Sequence, residues 1–562
     1  MTEKCDKSDT VALCEVFPDA GGERRQAEAE ALVVSIPVGG RESGAMRSRL
    51  RLADLLVGLS IVVDLGYGLP METAMRACVV GTALARRMGL SERETADVFY
   101  VSLLLHVGCL AYSHETTAMF GDDAAVHRAV ARTTSVREIA TVLIPEMTRD
   151  LPAQARLRNV ALFATRGLRF EKGHDLASCE AARAVARRIG LPGEVSEALH
   201  DVHEWWDGRG ARGLRGETIA QSARIARVAT EAVFLAALGD PQTVAATLRR
   251  FGGKRLDPAI VAVFASEAQD LLAKAASGDP RATILEIEPD PPVEIDETDL
   301  IVVASAFGDL ADIKTPFTHG HSSGVAQLAV AAATRLRLDR QTILQLQVAA
   351  LLHDLGRGGV SNAVWEKPGP LTTAEWEQVR LHPYYTERAL STSIALTPMA
   401  AIAGMHHERL NGSGYHRGSH GGALGTAARV LAAADSFQAM TQRRPHRPAL
   451  ELDRARDELL LDARLGRLDS DAVAAVLDAA GQPHSRRIPD LRPGGLSERE
   501  VEVLRLLAEG CSNPEIGRRL IISRRTAEHH VQHIYAKLGV STRAAATLFA
   551  LENDLLASRL RL

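Results

Sequence analysis

Lysine is scarce in this chain: of the 66 basic residues among 562, only 8 are lysine. The arginine excess, with heavy alanine use, reads as a GC-rich bacterial coding bias and carries no chemistry of its own. Acidic residues number 70, so the formal net charge is −4. That balance excludes a global pull toward nucleic acid and confines any DNA-binding surface to one region. Cysteine is sparse as well. The six residues Cys5, Cys14, Cys78, Cys109, Cys179 and Cys511 are scattered, with no C-x-x-C pair. This argues against a disulfide framework or a structural zinc site, and for reduced thiols in a cytosol. Long apolar runs are missing. The longest, such as residues 55–63, stop far short of the ~20 residues that span a bilayer. The opening residues lack the apolar core of a signal peptide. A soluble, cytoplasmic protein with no membrane partner is expected.

What the sequence does have is helical periodicity. A hydrophobic content of 46% supports real cores, and the length suggests several domains. The expected fold class is all-α. Residues 1–45 mix charge, Gly and Pro without periodicity and are expected to form a flexible extension. Residues 46–280 and 301–480 form two helical domains. Between them, 281–300 is expected to be a linker, because 286–294 is acidic and rich in proline. A second linker, 481–495, is rich in Pro, Gly and Arg. A small helical domain, 496–562, closes the chain.

The chemistry concentrates around Leu351-Leu352-His353-Asp354-Leu355-Gly356-Arg357. An apolar helical run ends there in adjacent His and Asp side chains, which can reach two different metal ions. By itself such a pair is as readily a structural hydrogen bond. Its surroundings add His321, His382, His406, His407 and Asp435 at separated helical positions. Five His and two Asp suffice for a two-metal site. Nearby His319, His416, His420 and His446 read as loop or surface histidines.

At these residues the stretch from about 301 to 485 resembles the HD-GYP family of metal-dependent phosphodiesterases. The matching text includes Thr315-Pro316-Phe317-Thr318-His319-Gly320-His321, His353-Asp354-Leu355-Gly356-Arg357, Arg380-Leu381-His382-Pro383, His406-His407-Glu408 and Ala434-Asp435-Ser436-Phe437. The resemblance implies that Asp354 bridges two divalent metal ions, Fe or Mn. His321, His353 and Asp435 would complete one coordination sphere, and His382, His406 and His407 the other. Phe317 stands where trinuclear relatives carry a Glu ligand, so two ions are expected. Three departures bear on substrate. The family's Gly-Tyr-Pro is Gly414-Tyr415-His416, its Lys after the His-Asp motif is Arg357, and an Asp is replaced by Asn411. Arg357 keeps the positive charge in a different geometry. It is expected at the catalytic centre with Asp354, and Arg357, Tyr415, Arg444 and Arg447 are expected to contact substrate.

The first helical domain echoes the second in order. Leu104-Leu105-His106-Val107-Gly108 matches the His-Asp motif, and Val202-His203-Glu204-Trp205-Trp206-Asp207-Gly208-Arg209-Gly210 matches 406–414. Lys254-Arg255-Leu256-Asp257 matches Gly466-Arg467-Leu468-Asp469. The pattern reads as an internal duplication. The first copy is degenerate: Thr73, Val107, Val202 and Thr230 stand where ligands would be. Its surviving His106 and His203, with His174 a loose match to His382, leave two readings open, a single-ion site or buried structural histidines.

From Leu496 a capping box, Ser497 with Glu500, opens a helix. Short helices follow at 513–520 and 523–538, then a last one at 542–556. The text Leu496-Ser497-Glu498-Arg499-Glu500-Val501, Ser512-Asn513-Pro514-Glu515-Ile516-Gly517 and Thr526-Ala527-Glu528-His529-His530-Val531 resembles the LuxR-type DNA-binding domain. The resemblance implies a helix-turn-helix. Glu528, His529 and Gln532 would face bases, while Arg524, Arg525 and Lys537 would contact phosphates. The last helix would mediate dimerisation on an operator.

The sequence therefore supports a bacterial transcription regulator with a phosphodiesterase domain acting on cyclic di-GMP or a related cyclic dinucleotide. The alternative is a non-enzymatic DNA-binding regulator whose HD domain only senses a metal, nucleotide or other phosphate-ester ligand.

Overall fold

A computed structural model describes residues 50–131, 153–484, 494, 496–553 and 555–556. The expected extension 1–45 and most of the linker 481–495 lie outside the described residues. The described chain is helical throughout, with one two-stranded antiparallel sheet pairing Leu50–Arg51 with Glu294–Ile295.

Ordered elements lie within the expected linker. Residues 281–300 are not a plain connector. The helix Pro280–Ile287 is capped by Asp279, with proline in its first turn, where no amide hydrogen is needed. The Pro-rich break is confined to the few residues before the strand. The helix Glu297–Ile313 follows at once, opened by a capping box between Asp296 and Asp299. Arg51 donates to the Glu288 carboxylate and to the Leu285 carbonyl, which ties the segment to the start of the described chain.

The structure separates into two compact units, and these cut across the expected domain boundaries. The first unit comprises Met1–Val330, Asp339–His406 and Gln442–Ala449. Here the helix Leu52–Gly66 packs against both the 3₁₀ turn Leu355–Gly359 and the helix His382–Leu390. Asp54 on the first of these accepts from Arg281 at 2.9 Å and from Ser393 Oγ at 2.7 Å. This helix is buried on nearly every face, partly by elements from the second half of the chain. The segment 92–120 is long and apolar enough to cross a membrane. It is divided among Glu92–Leu104, Val107–Tyr112 and Ser113–Phe120, and 83% of its most apolar stretch is buried in the protein.

The second unit comprises Ala331–Leu338, His407–Thr441 and Leu450–Leu562. Its helices Thr426–Thr441, Leu452–Arg464 and Ser470–Ala479 pack on one another. The remaining four helices, Glu498–Ala508, Asn513–Leu520, Arg524–Leu538 and Arg543–Glu552, enclose a core of their own around Leu496, Leu504, Ile516, Ala527 and Ile534. Ser497 and Glu500 form the expected capping box.

Local geometry repeats between the two halves of the chain. Arg224 Nε donates to the Ile219 carbonyl at 3.0 Å while its Nη1 meets Asp257 at 2.5 Å. Arg429 Nε donates to the Leu424 carbonyl at 2.7 Å while its Nη1 meets Asp469 at 3.0 Å. Asp257 and Asp469 each cap the next helix. Glu204 and Glu408, both buried, each accept from a backbone amide of the loop that follows, Arg212 and Arg417 respectively.

Candidate metal centre and nucleic-acid interface

The helix Arg340–Leu352 delivers His353 at its C-terminal end, and Asp354 opens the 3₁₀ turn after it. The turn needs glycine at 356. A Cβ there would lie 2.0 Å from the His382 carbonyl oxygen, so only glycine lets the helix His382–Leu390 come this close. Thr386 fastens the approach, donating to the His353 carbonyl at 2.8 Å and accepting from Gly356 N–H at 2.9 Å.

Four imidazoles surround Asp354. Toward Oδ2, His321 Nε2 and His353 Nε2 each lie at 3.7 Å. Toward Oδ1, His382 Nε2 lies at 3.4 Å and His406 Nε2 at 3.6 Å. All five side chains are buried. The ring orientations are set from behind. His353 Nδ1 donates to the Ala350 carbonyl, His382 Nδ1 to Val379 and His406 Nδ1 to Ala403, at 2.6–2.7 Å. His321 Nδ1 donates to Gln442 Oε1 at 2.9 Å. A carbonyl oxygen can only accept, so each Nδ1 carries the hydrogen and each Nε2 presents a lone pair. Burial opposes ionisation of Asp354, but neighbouring positive charge, including the Arg357 guanidinium, outweighs it and holds the carboxyl well below its usual range.

Ligand atoms of His353, Asp354 and His406 all fall within 4.8 Å of one another, close enough to share one ion. Neutral imidazole lone pairs turned on an ionised carboxylate form a donor set that fits a divalent transition metal.

Arg357 Nη1 is 3.3 Å from Asp354 Oδ2, and its guanidinium lies 3.9 Å over the Trp365 ring. Arg444 donates to Gln442 Oε1 at 3.4 Å and to the Phe317 carbonyl at 3.2 Å, and Arg447 donates to the Gln442 carbonyl at 3.3 Å. In the second unit His407 Nδ1 is 3.9 Å from Asp435 Oδ2, and the Tyr415 ring packs on His407 at 4.7 Å.

In the helix Arg524–Leu538, Ala527, Val531 and Ile534 are buried and Leu538 half-buried. His529 and Gln532 are exposed, and Glu528 is half-buried. Arg525 is exposed. Arg524 Nε is bound to Glu528 at 2.8 Å, one turn along the helix. The expected phosphate role of Lys537 meets a competitor: its ammonium sits 2.6 Å from Glu500, the acid of the capping box.

Residues 305–472 match the HD domain family, and residues 495–550 match the bacterial regulatory proteins of the luxR family. The chain therefore carries an HD domain and, after it, a LuxR-family DNA-binding domain. Over 411 residues it is 29% identical to 3'3'-cGAMP-specific phosphodiesterase 3 of Vibrio cholerae serotype O1, covering 72% of this chain and 89% of that one. Over 176 residues it is 34% identical to a cyclic di-GMP phosphodiesterase of Thermotoga maritima, covering 31% of this chain and 47% of the relative. The crystal structure of a cyclic GMP-AMP specific phosphodiesterase of V. cholerae, V-cGAP3, is similar with a TM-score of 0.54 at 26% identity, over 78% of this chain and 99% of that one.

Against the HD site, the first half of the chain is built differently. Phe234, His106, Tyr67 and His127 form a continuous stack of rings, with centroid spacings of 5.6, 5.0 and 4.8 Å. Tyr67 thus occupies the space between two histidines. Val107 and Val202 are buried apolar residues at the corresponding ligand positions. Thr73 donates to the Pro70 carbonyl. Among the described residues, no three ligand atoms converge in this half as they do in the HD domain. Burial holds His106, His127 and His203 neutral, with the last lowered to about 4.

Sequence reasoning missed Gln442, Thr386 and Trp365, which orient His321, the His-Asp turn and Arg357. None belongs to a metal-ligand class of residue. The only available signal was their position just after the Asp435 helix, inside the His382 helix and beyond the His-Asp motif.

Proposed function

We propose that this protein is a transcription regulator carrying a metal-dependent cyclic dinucleotide phosphodiesterase site. The observation that carries the reading is the placement of two imidazole Nε2 atoms toward each oxygen of Asp354. Asp354, with His321 and His353 toward one oxygen and His382 and His406 toward the other, would hold divalent cations there. On sequence grounds Asp435 joins the first set and His407 the second. Mixed imidazole and carboxylate donors suit Fe or Mn. When bound, such ions supply an acidified water and neutralise charge developing on phosphorus.

The chain's own groups do the rest. The Nδ1–H bonds to backbone carbonyls and to Gln442 keep the imidazoles in the ligating tautomer. Arg357, with Trp365 behind one face, offers its guanidinium to a phosphate oxygen. Tyr415, Arg444 and Arg447 are assigned to the remainder of the substrate. The relative matched over 411 residues is named for 3'3'-cGAMP and the Thermotoga relative for cyclic di-GMP. Because Gly414-Tyr415-His416 departs from Gly-Tyr-Pro, 3'3'-cGAMP is the first substrate to test. Residues 46–280 are read as a degenerate HD-like domain, supported by the repeated Arg–Asp and Glu–amide geometry. The LuxR-family domain reads an operator as a homodimer in the cytoplasm.

The test is metal analysis of the purified full chain, followed by anaerobic incubation of Fe- or Mn-loaded protein with 3'3'-cGAMP and cyclic di-GMP. A linear dinucleotide product is expected. Bound dinucleotide without turnover would leave the ligand-sensing regulator as the correct reading.

A further inference from the structure

The first half of the chain touches the catalytic turn through a buried carboxylate that no motif marks. Asp123 is the first residue of the helix Asp123–Ala131 and is fully buried. Its Oδ1 accepts from Ser361 Oγ and from Asn362 N–H, both at 2.8 Å. Its Oδ2 accepts from Lys314 Nζ at 2.8 Å, and that lysine is also buried. Asn362 Nδ2 closes the ring of contacts, donating to the Lys314 carbonyl and to Glu366. Burial alone would raise the Asp123 carboxyl, but the Lys314 ammonium beside it holds it below its usual range.

These bonds secure the helix Asn362–Trp365, which is only one turn long. A single turn does not persist without outside contacts. Trp365, at its end, lies beneath the Arg357 guanidinium at 3.9 Å and donates its indole N–H to the Arg357 carbonyl at 3.2 Å. Its ring also meets His382 edge-on at 5.5 Å. Arg357 in turn contacts Asp354. Asp123 is thus two linked contacts from the arginine expected to hold phosphate. A buried ion pair is seldom the most stabilising choice for a core position, and apolar residues of similar volume commonly do as well or better. What an apolar pair would not supply is an acceptor for Ser361 and Asn362.

We propose that Asp123 is a positioning residue for the phosphodiester site, holding the Asn362–Trp365 turn so that Trp365 fixes the Arg357 guanidinium. The inference rests on the reading of the HD site as catalytic. Its effect falls on substrate binding, because Arg357 is not one of the assigned metal ligands.

The test compares three full-length proteins: wild type, Lys314→Met with Asp123→Ala, and Lys314→Met with Asp123→Asn. Removing the lysine avoids a stranded buried charge. The alanine variant lacks the acceptor for Ser361 and Asn362, while the asparagine variant retains one in Oδ1. Metal content, KM and kcat for 3'3'-cGAMP, and the fluorescence of Trp365 are measured. The Trp365 signal is isolated from the other three tryptophans by subtracting the spectrum of Trp365→Phe made in each background. In the alanine variant, unchanged metal content, a KM raised about tenfold or more with kcat nearly constant, and a red-shifted, more quenchable Trp365 are expected. The asparagine variant is expected to restore all three. An unchanged Trp365 signal in the alanine variant overturns the proposal whatever the turnover, and so does a KM that stays at the wild-type value. If wild type turns over no dinucleotide but the Trp365 signal shifts and is rescued by asparagine, the positioning role stands and the phosphodiesterase reading falls.

Discussion

His382 and His406 face each other through their Nε2 atoms at 3.1 Å. Each has its Nδ1 hydrogen committed to the backbone carbonyl three residues before it. Two imidazole lone pairs at that separation repel unless positive charge lies near both. Asp354 Oδ1, 3.4 and 3.6 Å away, adds negative charge to the same place. The arrangement calls for a cation, and the backbone bonds leave the rings little freedom to turn away. This pair gives the metal reading a physical basis independent of motif matching.

Asp354→Ala should remove most of the bound metal, because it deletes the carboxylate that four histidines share. His106→Ala should leave metal content near wild type, since His106 is stacked between Tyr67 and Phe234. Elemental analysis of the two purified variants checks this. Equal metal loss from both would place an ion in the first half and contradict the single-centre reading.

Gln442→Leu should weaken metal binding by roughly 10–100-fold while the protein remains folded. Gln442 supplies the acceptor that keeps hydrogen on His321 Nδ1. Without it the ring is free to take the other tautomer and turn its lone pair away. Competition against a chelator of known affinity measures the change, and a variant that holds metal as tightly as wild type would show that Gln442 does not orient His321.

Acid should destabilise the first half of the chain before carboxylates titrate. Burial lowers His127 to about 3 and His203 to about 4, against about 6.5 for an exposed imidazole. The unfolded chain therefore takes up protons that the folded chain refuses. The stability these groups contribute is present above about pH 6.5 and is lost as pH falls toward 4. Urea unfolding followed from about pH 7.5 to 5 should show a falling midpoint, a loss of roughly 1–3 kcal/mol. His127→Phe keeps an aromatic ring against Tyr67 and should reduce the drop. A midpoint independent of pH in wild type would mean that these histidines are not held neutral.

At the DNA end, Glu528→Ala and Arg524→Ala should act in opposite directions. Glu528 holds Arg524 at 2.8 Å, so its removal releases a cation on an exposed part of the helix. Operator affinity should rise in Glu528→Ala and the salt dependence steepen, whereas Arg524→Ala should weaken binding broadly and flatten the slope by about one. Gln532→Ala should alter sequence preference with little change in slope. Titrations of operator binding at several salt concentrations separate these outcomes. Identical slopes in all three variants would remove this helix face from the DNA interface.

Much of this protein was legible because it is local. The capping box of Ser497 and Glu500 spans three residues, and the helices of the LuxR-family domain follow from caps and apolar spacing within single turns. The His-Asp motif and its partners were readable as residue types able to ligate a metal. The loss of ligands in the first half was equally plain, since valine offers no lone pair.

Tertiary structure decided what those residues do to one another. The sequence left His106 open as either a ligand or a core residue. Packing settled the geometry by placing Tyr67 between His106 and His127, a contact that spacing cannot announce. The division of four imidazoles between the two oxygens of Asp354 depends on how four helices converge. Gln442 lies 121 residues from His321 and Asp123 lies 239 from Asn362, so neither pairing leaves a trace in local composition. Lys537 read as a DNA contact because it is basic on the expected recognition helix, yet Glu500, 37 residues earlier, lies within reach of its ammonium. Short-range chemistry is written into neighbouring residues. Long-range hydrogen bonds and ion pairs exist only once the chain has brought distant groups to within about 3 Å, and the sequence alone does not contain that distance.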